Sequence, residues 1–466
     1  MGICTKSLKY SLEQNRQGSL SVKLNKLPAY LGYASSRVNR FYNEDRLSLS
    51  LLKVLSSSKQ KSTPESKQFE VPVLNLNIFD GHGGDYIVDQ LEKRLSSSFA
   101  DCQPSKEKFF TLLKEYEDIF SNNDGMNYWK KLYKKRNKYF EQYIMNCSSK
   151  KENLLYNGAR MIFDKNGNII DKTALLTDIN RLRIYQTFLG LDLQLYKEKI
   201  KEGVPEDKIT SGSTASSLFL APLSEEDLSE YEGKSDVFWI NNDKLMRLYA
   251  AQLGDCKILL CDKEGVAHSL TLPHHPNTNK FENKRLSTQQ NTDTNKTSTK
   301  KIKDTMDDEL VGKDAFGEER FLNTFANTRS FGDYIGKPFG LTAEPDIYSY
   351  LIGSTRNIPH SEKHKLQFGG DECFVIMMTD GVSNLLTDQE VVDLVTTTVN
   401  LRGIKKANPQ FVCDEIIKYI LAIGGKQADN ASCIILRLSN WGNWPDIDRT
   451  GKTREEKLMN NDEMRE

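Results

Sequence analysis

Leu74, Leu76 and Ile78 alternate with Asn75 and Asn77. A period of two predicts a β-strand with one face buried. Leu47, Leu49 and Leu51 repeat the pattern, and Phe374–Met378 and Cys433–Leu436 are apolar runs of strand length. A longer run, Leu248–Leu260, is interrupted by Gly254-Asp255, which predicts two strands joined by a turn. Residues 53–70 are rich in Ser, Lys and Gln and read as the loop of a hairpin between core strands. Elsewhere the period changes. Ile87, Leu91 and Leu95 recur every four residues and predict a helix, and Asp178 reads as the N-cap of another carrying Ile179, Leu182, Phe188 and Leu189.

Trp129, Leu132, Tyr133, Tyr139, Phe140, Tyr143 and Ile144 also fall at helical spacing, interleaved with Lys130, Lys131, Lys134, Lys135, Arg136 and Lys138. Two readings stay open: a core-facing aromatic stripe with a solvated basic back, or a surface for an acidic partner or a membrane. Residues 278–314 are dominated by Asn, Thr, Lys and Asp and have too little apolar content to offset the entropy of ordering, so a mobile loop is expected there. The charged stretch 446–466 reads as a solvated tail.

Composition narrows the class. Of 466 residues, 38% are hydrophobic and 27% charged, as in a soluble enzyme with polar insertions. No apolar run reaches the roughly 18 residues of a membrane span, so no transmembrane segment is expected. Formal net charge is +0, which gives no reason to expect nucleic-acid binding. The 8 cysteines are scattered without a C-x-x-C pair, which points to a reducing compartment without structural disulfides or zinc. Residues 1–27 form a basic leader, either a mitochondrial transit peptide or a disordered tail: Glu13 is its lone acid.

The candidate chemistry lies at the ends of the predicted strands. Asp80-Gly81-His82-Gly83-Gly84 follows Leu74–Phe79, and Thr379-Asp380-Gly381 follows Phe374–Met378. Asp429-Asn430-Ala431-Ser432 precedes Cys433–Leu436, Glu44-Asp45 precedes Leu47, Asp255 sits in the turn after Leu253, and Arg40 stands four residues before Glu44. Two carboxylates about 4 Å apart repel by roughly 4 kcal/mol at an effective dielectric near 20, so such a cluster needs cations. Oxygen donors without Cys or paired His favour Mg or Mn over Zn.

In this order the motifs resemble those of the metal-dependent type 2C protein Ser/Thr phosphatases (the PPM family). Gly212-Ser213-Thr214-Ala215-Ser216, Thr328-Arg329-Ser330-Phe331-Gly332-Asp333 and Glu344-Pro345-Asp346 extend the series, and the similarity runs from about Tyr30 to Leu438. The resemblance implies an α+β fold, a four-layer αββα sandwich of two antiparallel sheets flanked by antiparallel helices. One phosphatase domain would span 28–440, with a helical insertion at about 100–205, a disordered flap insertion at about 278–314 and a charged tail at 441–466. The flap itself reads as Leu270-Thr271 through His275-Pro276 to Glu282 and Arg285.

It also implies an activity. A phosphoserine or phosphothreonine would be hydrolysed by direct attack of metal-activated water, with two Mg or Mn ions per subunit. Asp80 and Asp380 are the principal ligands, Asp80 bridging. Gly81 would add its carbonyl, Glu44 and Asp429 would complete the shells, Asp45 would orient ligand waters, and Asp255 would help hold a third, looser ion. Asn384 stands where an acid is common and sets that third ion in question. Arg40 suits a bidentate grip on phosphate oxygens, and His82 suits a general acid. Ser213 and Thr214 would pack beneath the site, and Asp333 would fix the loop bearing Arg329.

Phosphoprotein substrates and a monomer are expected. The leader, Pro28-Ala29-Tyr30-Leu31-Gly32-Tyr33 and Asp380-Gly381-Val382-Ser383-Asn384-Leu385-Leu386 resemble the fungal mitochondrial branch, linked to dephosphorylation of the pyruvate dehydrogenase complex and to mitophagy. A cytoplasmic location is the alternative. A catalytically inactive docking or regulatory relative of the same fold is the competing reading, and the full carboxylate set with Arg40 and His82 argues against it.

Overall fold

The computed structural model describes residues 3–12, 18–57, 68–121, 128–145, 162–163, 169–170, 178–205, 209–222, 238–240, 245–276, 279–286 apart from 280 and 284, 311–313, 319–356 apart from 323, and 366–463 apart from 427. Two antiparallel sheets pack face to face. The first runs in the order β1 (Ile3–Thr5), β3 (Arg46–Ser57), β4 (Gln68–His82), β5 (Gly212–Pro222), β6 (Leu245–Leu253) and β10 (Asp346–Gly353), with the short β9 (Phe331–Gly332) also on β5. The second runs β8 (Ala267–Ser269), β7 (Lys257–Cys261), β11 (Phe374–Met378), β12 (Ala431–Arg437) and β2 (Leu31–Ser36).

Leu74, Leu76 and Ile78 meet Ile258, Leu260, Val375, Met377, Ile434 and Leu436 between the sheets. The outer face of the first sheet is covered by α1 (Tyr86–Asp101) and α4 (Asp178–Lys201), that of the second by α5 (Asp388–Arg402) and α6 (Pro409–Ile423). This is the expected αββα sandwich. Local signals start the helices: Thr387 and Glu390 form a capping box on α5, and Asn408 caps α6 with Pro409 in its first turn.

Four expectations change. Asn75 and Asn77 are not on a solvated face but buried beneath α1, where Asn77 donates to Ser48 and Ser96, and Ser96 donates to Asn75. The alternation marked two buried faces, one of them polar and satisfied. The 1–27 stretch is not a separate leader throughout, because Ile3–Thr5 pair with Leu51–Lys53 at the sheet edge and Leu24 is buried between the sheets. The 446–466 stretch, as far as Glu463, is exposed in part but is not a free tail. Trp441 and Trp444 pack on Phe374, and Gly451–Glu463 form a helix, α7, whose Arg454 is buried against Asp448 and Asp393 while Lys457 pairs with Glu390. Finally, the start of the expected mobile loop is ordered: Asn279, Glu282 and Leu286 are buried. Most of the rest of that loop, 287–310, lies outside the described residues.

The helices between α1 and α4 extend the core on the outer face of the first sheet. Helices α2 (Lys106–Phe120) and α3 (Tyr128–Lys134) stack Tyr116 on Trp129 with ring centroids 4.2 Å apart, while Lys130, Lys134, Lys135 and Lys138 face solvent. The aromatic stripe is therefore core-facing, with a solvated basic back.

Candidate active site

Strand register gathers the acids at one end of the sandwich. Arg46 lies opposite Phe79 in the β3–β4 ladder, so Asp45, just before β3, comes level with Asp80 near the end of β4. In the second sheet Met378 pairs with both Lys257 and Cys433, which brings Asp255, Asp380 and Asp429 to the same end. Gly381 permits this convergence: a Cβ there would lie 1.9 Å from the carbonyl oxygen of Asn430.

Asp429 pairs with Arg40, whereas Asp80, Asp380, Asp45 and Asp255 are drawn close with no ion-pair partner among the described residues. Asp80 and Asp380 face each other closely enough that each shifts the titration of the other. Burial, and then Asp380, Asp45 and Asp255, push the Asp80 carboxyl well above its ordinary range. Burial, and then Asp255, take Asp380 to about 7. Asp45 also rises to about 7, mainly through burial and against hydrogen bonds to its Oδ2 from Ser432 at 2.6 Å and Thr379 at 3.0 Å. Its Oδ1 is buried with no hydrogen-bond partner among the described residues, and so is Oδ1 of Asp255.

Orphaned carboxylate oxygens beside a repelling pair fit hard divalent cations. As they stand, no three such groups among the described residues are gathered tightly enough to hold an ion. Asn384 donates to Asp380 Oδ2 at 3.1 Å, so an amide stands where a further carboxylate would add charge.

Around this cluster stand the polar groups. Glu44 accepts from the Gly84 N–H at 2.8 Å, and its own N–H donates to Asn430, whose amide also donates to the carbonyls of Arg37 and Tyr42. Arg40 is paired with Asp429 at 2.7 Å, both side chains about half exposed. His82 Nε2 lies 3.0 Å from each carboxylate oxygen of Asp333. Burial acts to lower the His82 pKa, but Asp333, with Asp255 and Glu44 behind it, outweighs burial and raises it above the ordinary value. Gly212 makes the contact possible, since a Cβ there would lie 2.4 Å from Asp333 Oδ1.

The protein phosphatase 2C model matches residues 148–429. The chain belongs to that family. The phosphatase is 26% identical over 91% of its length to protein phosphatase 2C homolog 4 of Schizosaccharomyces pombe, covering 83% of that protein. It is 24% identical to the mitochondrial protein phosphatase 1K of Xenopus laevis over 42% of this chain and 41% of the relative. Similar solved structures include a phosphatase from a pathogenic strain of Toxoplasma gondii, 14% identical with a TM-score of 0.46 over 94% of this chain and 96% of that one. Another is a C. elegans sex determining protein, 16% identical with a TM-score of 0.44 over 92% and 67%. As a member of this family the protein is a hydrolase, a protein serine/threonine phosphatase.

Every candidate residue of the sequence reading lies at this end of the sandwich. Asp333 holds the loop bearing Arg329 through a hydrogen bond from Ser330 Oγ and also faces His82, but the Arg329 guanidinium is not its partner. Arg329 instead pairs with Glu282 at 2.7 Å and Asp346 at 3.1 Å, all three buried. Asn430 was missed as an organiser of the Arg40 loop. Its position beside Asp429 was the available signal.

Proposed function

We propose that this phosphatase hydrolyses phosphoserine and phosphothreonine with two Mg or Mn ions held by Asp80, Asp380, Asp429, Glu44 and the carbonyl of Gly81. Asp45 orients their waters, and Asp255 contributes to a third, weaker site. The observation that carries this is the pair of orphaned oxygens on Asp45 and Asp255 beside the Asp80–Asp380 contact. Such ions supply an acidified water and neutralise charge on the phosphate. Arg40 turns from Asp429 to grip two phosphate oxygens in the forked geometry that Lys lacks. His82, whose proton Asp333 helps to hold, gives that proton to the departing serine or threonine alkoxide.

Dialysis against EDTA followed by titration with Mg or Mn tests the reading. Turnover of an aryl phosphate and of a phosphopeptide should vanish and return with metal. Full activity in the stripped protein would overturn it.

For location, the basic early residues and the mitochondrial relative support a mitochondrial phosphatase acting on matrix phosphoproteins such as the pyruvate dehydrogenase complex. The pairing of Ile3–Thr5 with β3 favours a cytoplasmic protein whose first residues are retained. Imaging a C-terminally tagged full chain, with the N-terminus of the purified protein sequenced, separates the two.

A further inference from the structure

The loop that carries Asp333 is held from the far side of the first sheet. Asp192, in the middle of α4, is fully buried. Its Oδ1 accepts from the Gly332 N–H at 2.8 Å, and its Oδ2 accepts from Tyr116 Oη at 2.7 Å and pairs with Lys337 Nζ at 3.1 Å. Its carbonyl accepts from Tyr334 Oη at 2.9 Å. Lys337, equally buried, also donates to the Ser330 carbonyl at 2.8 Å, and its own carbonyl accepts from the Trp129 indole at 3.1 Å. Asp192 and Lys337 therefore fix both ends of the turn from Ser330 to Lys337.

Asp333 sits within that turn. Its backbone is left-handed, at φ 49°, and follows Gly332 at φ 68°. That conformation is uncommon for a non-glycine residue, though Asp adopts it more readily than most, and contacts around it hold it there. Those contacts include the Asp192 bond to Gly332, one residue before. The result aims the Asp333 carboxylate at His82, with Ser330 Oγ on its Oδ2.

We propose that Asp192 is a positioning residue for proton transfer by His82, so that α4, a covering helix of the sandwich, forms part of the catalytic apparatus. The proposal rests on the general-acid reading of His82 given above. Asp192 touches neither substrate nor reacting atom. It acts by setting the Gly332–Asp333 backbone, and a small displacement there moves the imidazole off the leaving oxygen.

Leaving-group dependence tests this. A serine alkoxide needs a proton to depart, whereas a nitrophenolate does not. The single variant Asp192→Asn would leave the Lys337 charge buried and uncompensated, so the pair Asp192→Leu/Lys337→Met removes both charges at similar volume. Phosphopeptide kcat should fall on the order of 10- to 100-fold, with KM little changed and 4-nitrophenyl phosphate kcat falling no more than about threefold. In a His82→Ala background the same pair should produce no further selective loss on the phosphopeptide. Tyr116→Phe, which removes one hydrogen bond and no charge, should give a smaller loss with the same selectivity, and it decides the matter if the paired variant does not fold.

Equal losses on both substrates, no loss on either, or additivity with His82→Ala would overturn the role of Asp192. If His82→Ala itself slows both substrates equally, the general-acid reading fails instead, and the role of Asp192 falls with it.

Discussion

Arg40 Nη2 lies 2.7 Å from Oδ2 of Asp429, which ties the residue suited to phosphate to one suited to metal. Both side chains are about half exposed, and a pair of that kind is worth about 0–1 kcal/mol. It therefore opens at little cost when a cation takes Asp429 and a phosphate takes Arg40. Arg40→Ala should raise KM for aryl phosphate about tenfold or more, and Arg40→Lys should recover only a minor part because a point charge cannot grip two oxygens. Steady-state kinetics decide it. An unchanged KM in both variants would show that Arg40 does no more than hold Asp429.

Asp380→Asn should abolish turnover and yet stabilise the metal-free protein. The wild-type carboxyl titrates near 7 because burial, and then Asp255, oppose its charge. A carboxyl whose folded pKa is raised binds more protons folded than unfolded, so its effect on stability worsens as pH rises from about 4 to 7. In EDTA the variant should melt about 2 °C above wild type at pH 8, and the gap should close by pH 5, where the wild-type group is already protonated. Thermal melts at the two pH values check this. A gap that widens towards acid would contradict the assigned repulsion.

Much of the site could be read from the chain because antiparallel register turns strand ends into neighbours. Acids at the end of one apolar run and the start of the next, as in Asp380 and Asp429, had to meet. The helices α1 and α4 followed equally from Ile87-Leu91-Leu95 and from Asp178. What could not be read depends on contacts remote in sequence. Nothing near Asp333 marks His82, 251 residues away, as its partner. Asn75 and Asn77 look solvated until Ser96 arrives over them. Polar composition likewise concealed the burial of Glu282 and the α7 helix, whose charges are satisfied by buried counterparts.

That last point makes the end of the chain a stability element. Asp393 on α5 is fully buried and accepts from the Arg449 N–H at 2.8 Å and Thr450 Oγ1 at 2.9 Å, with Arg454 close by. Arg454→Ala should cost on the order of 2–3 kcal/mol and lower the melting midpoint by several degrees. Aryl-phosphate turnover at 20 °C should stay within about twofold of wild type, because the acids of the active site touch none of these groups. A melting midpoint unchanged by the substitution would return 446–466 to the status of a solvated tail.

The flap divides into a part the fold requires and a part it tolerates losing. Glu282 accepts from Arg329 at 2.7 Å, from Arg285 at 2.9 Å and from Thr328 Oγ1 at 2.6 Å, and the two guanidiniums hold its carboxyl well below the ordinary range despite burial. Glu282→Ala would leave two arginines buried without this partner, so the folded yield should collapse. Residues 288–309, by contrast, are Ser, Thr, Asn, Gln, Lys, Asp and Glu apart from Ile302 and Met306, and closure entropy changes by only about 0.6 kcal/mol per halving of a loop. Deleting 288–309 while keeping Glu282, Arg285 and Leu286 should therefore leave melting and aryl-phosphate turnover nearly unchanged. Turnover of a phosphoprotein should change if the segment, which interrupts the flap in sequence, takes part in docking a bulky substrate. If the deletion unfolds the protein, the segment belongs to the core. If both substrates respond alike, substrate choice lies elsewhere, and the exposed basic back of the helical insertion is the next surface to vary.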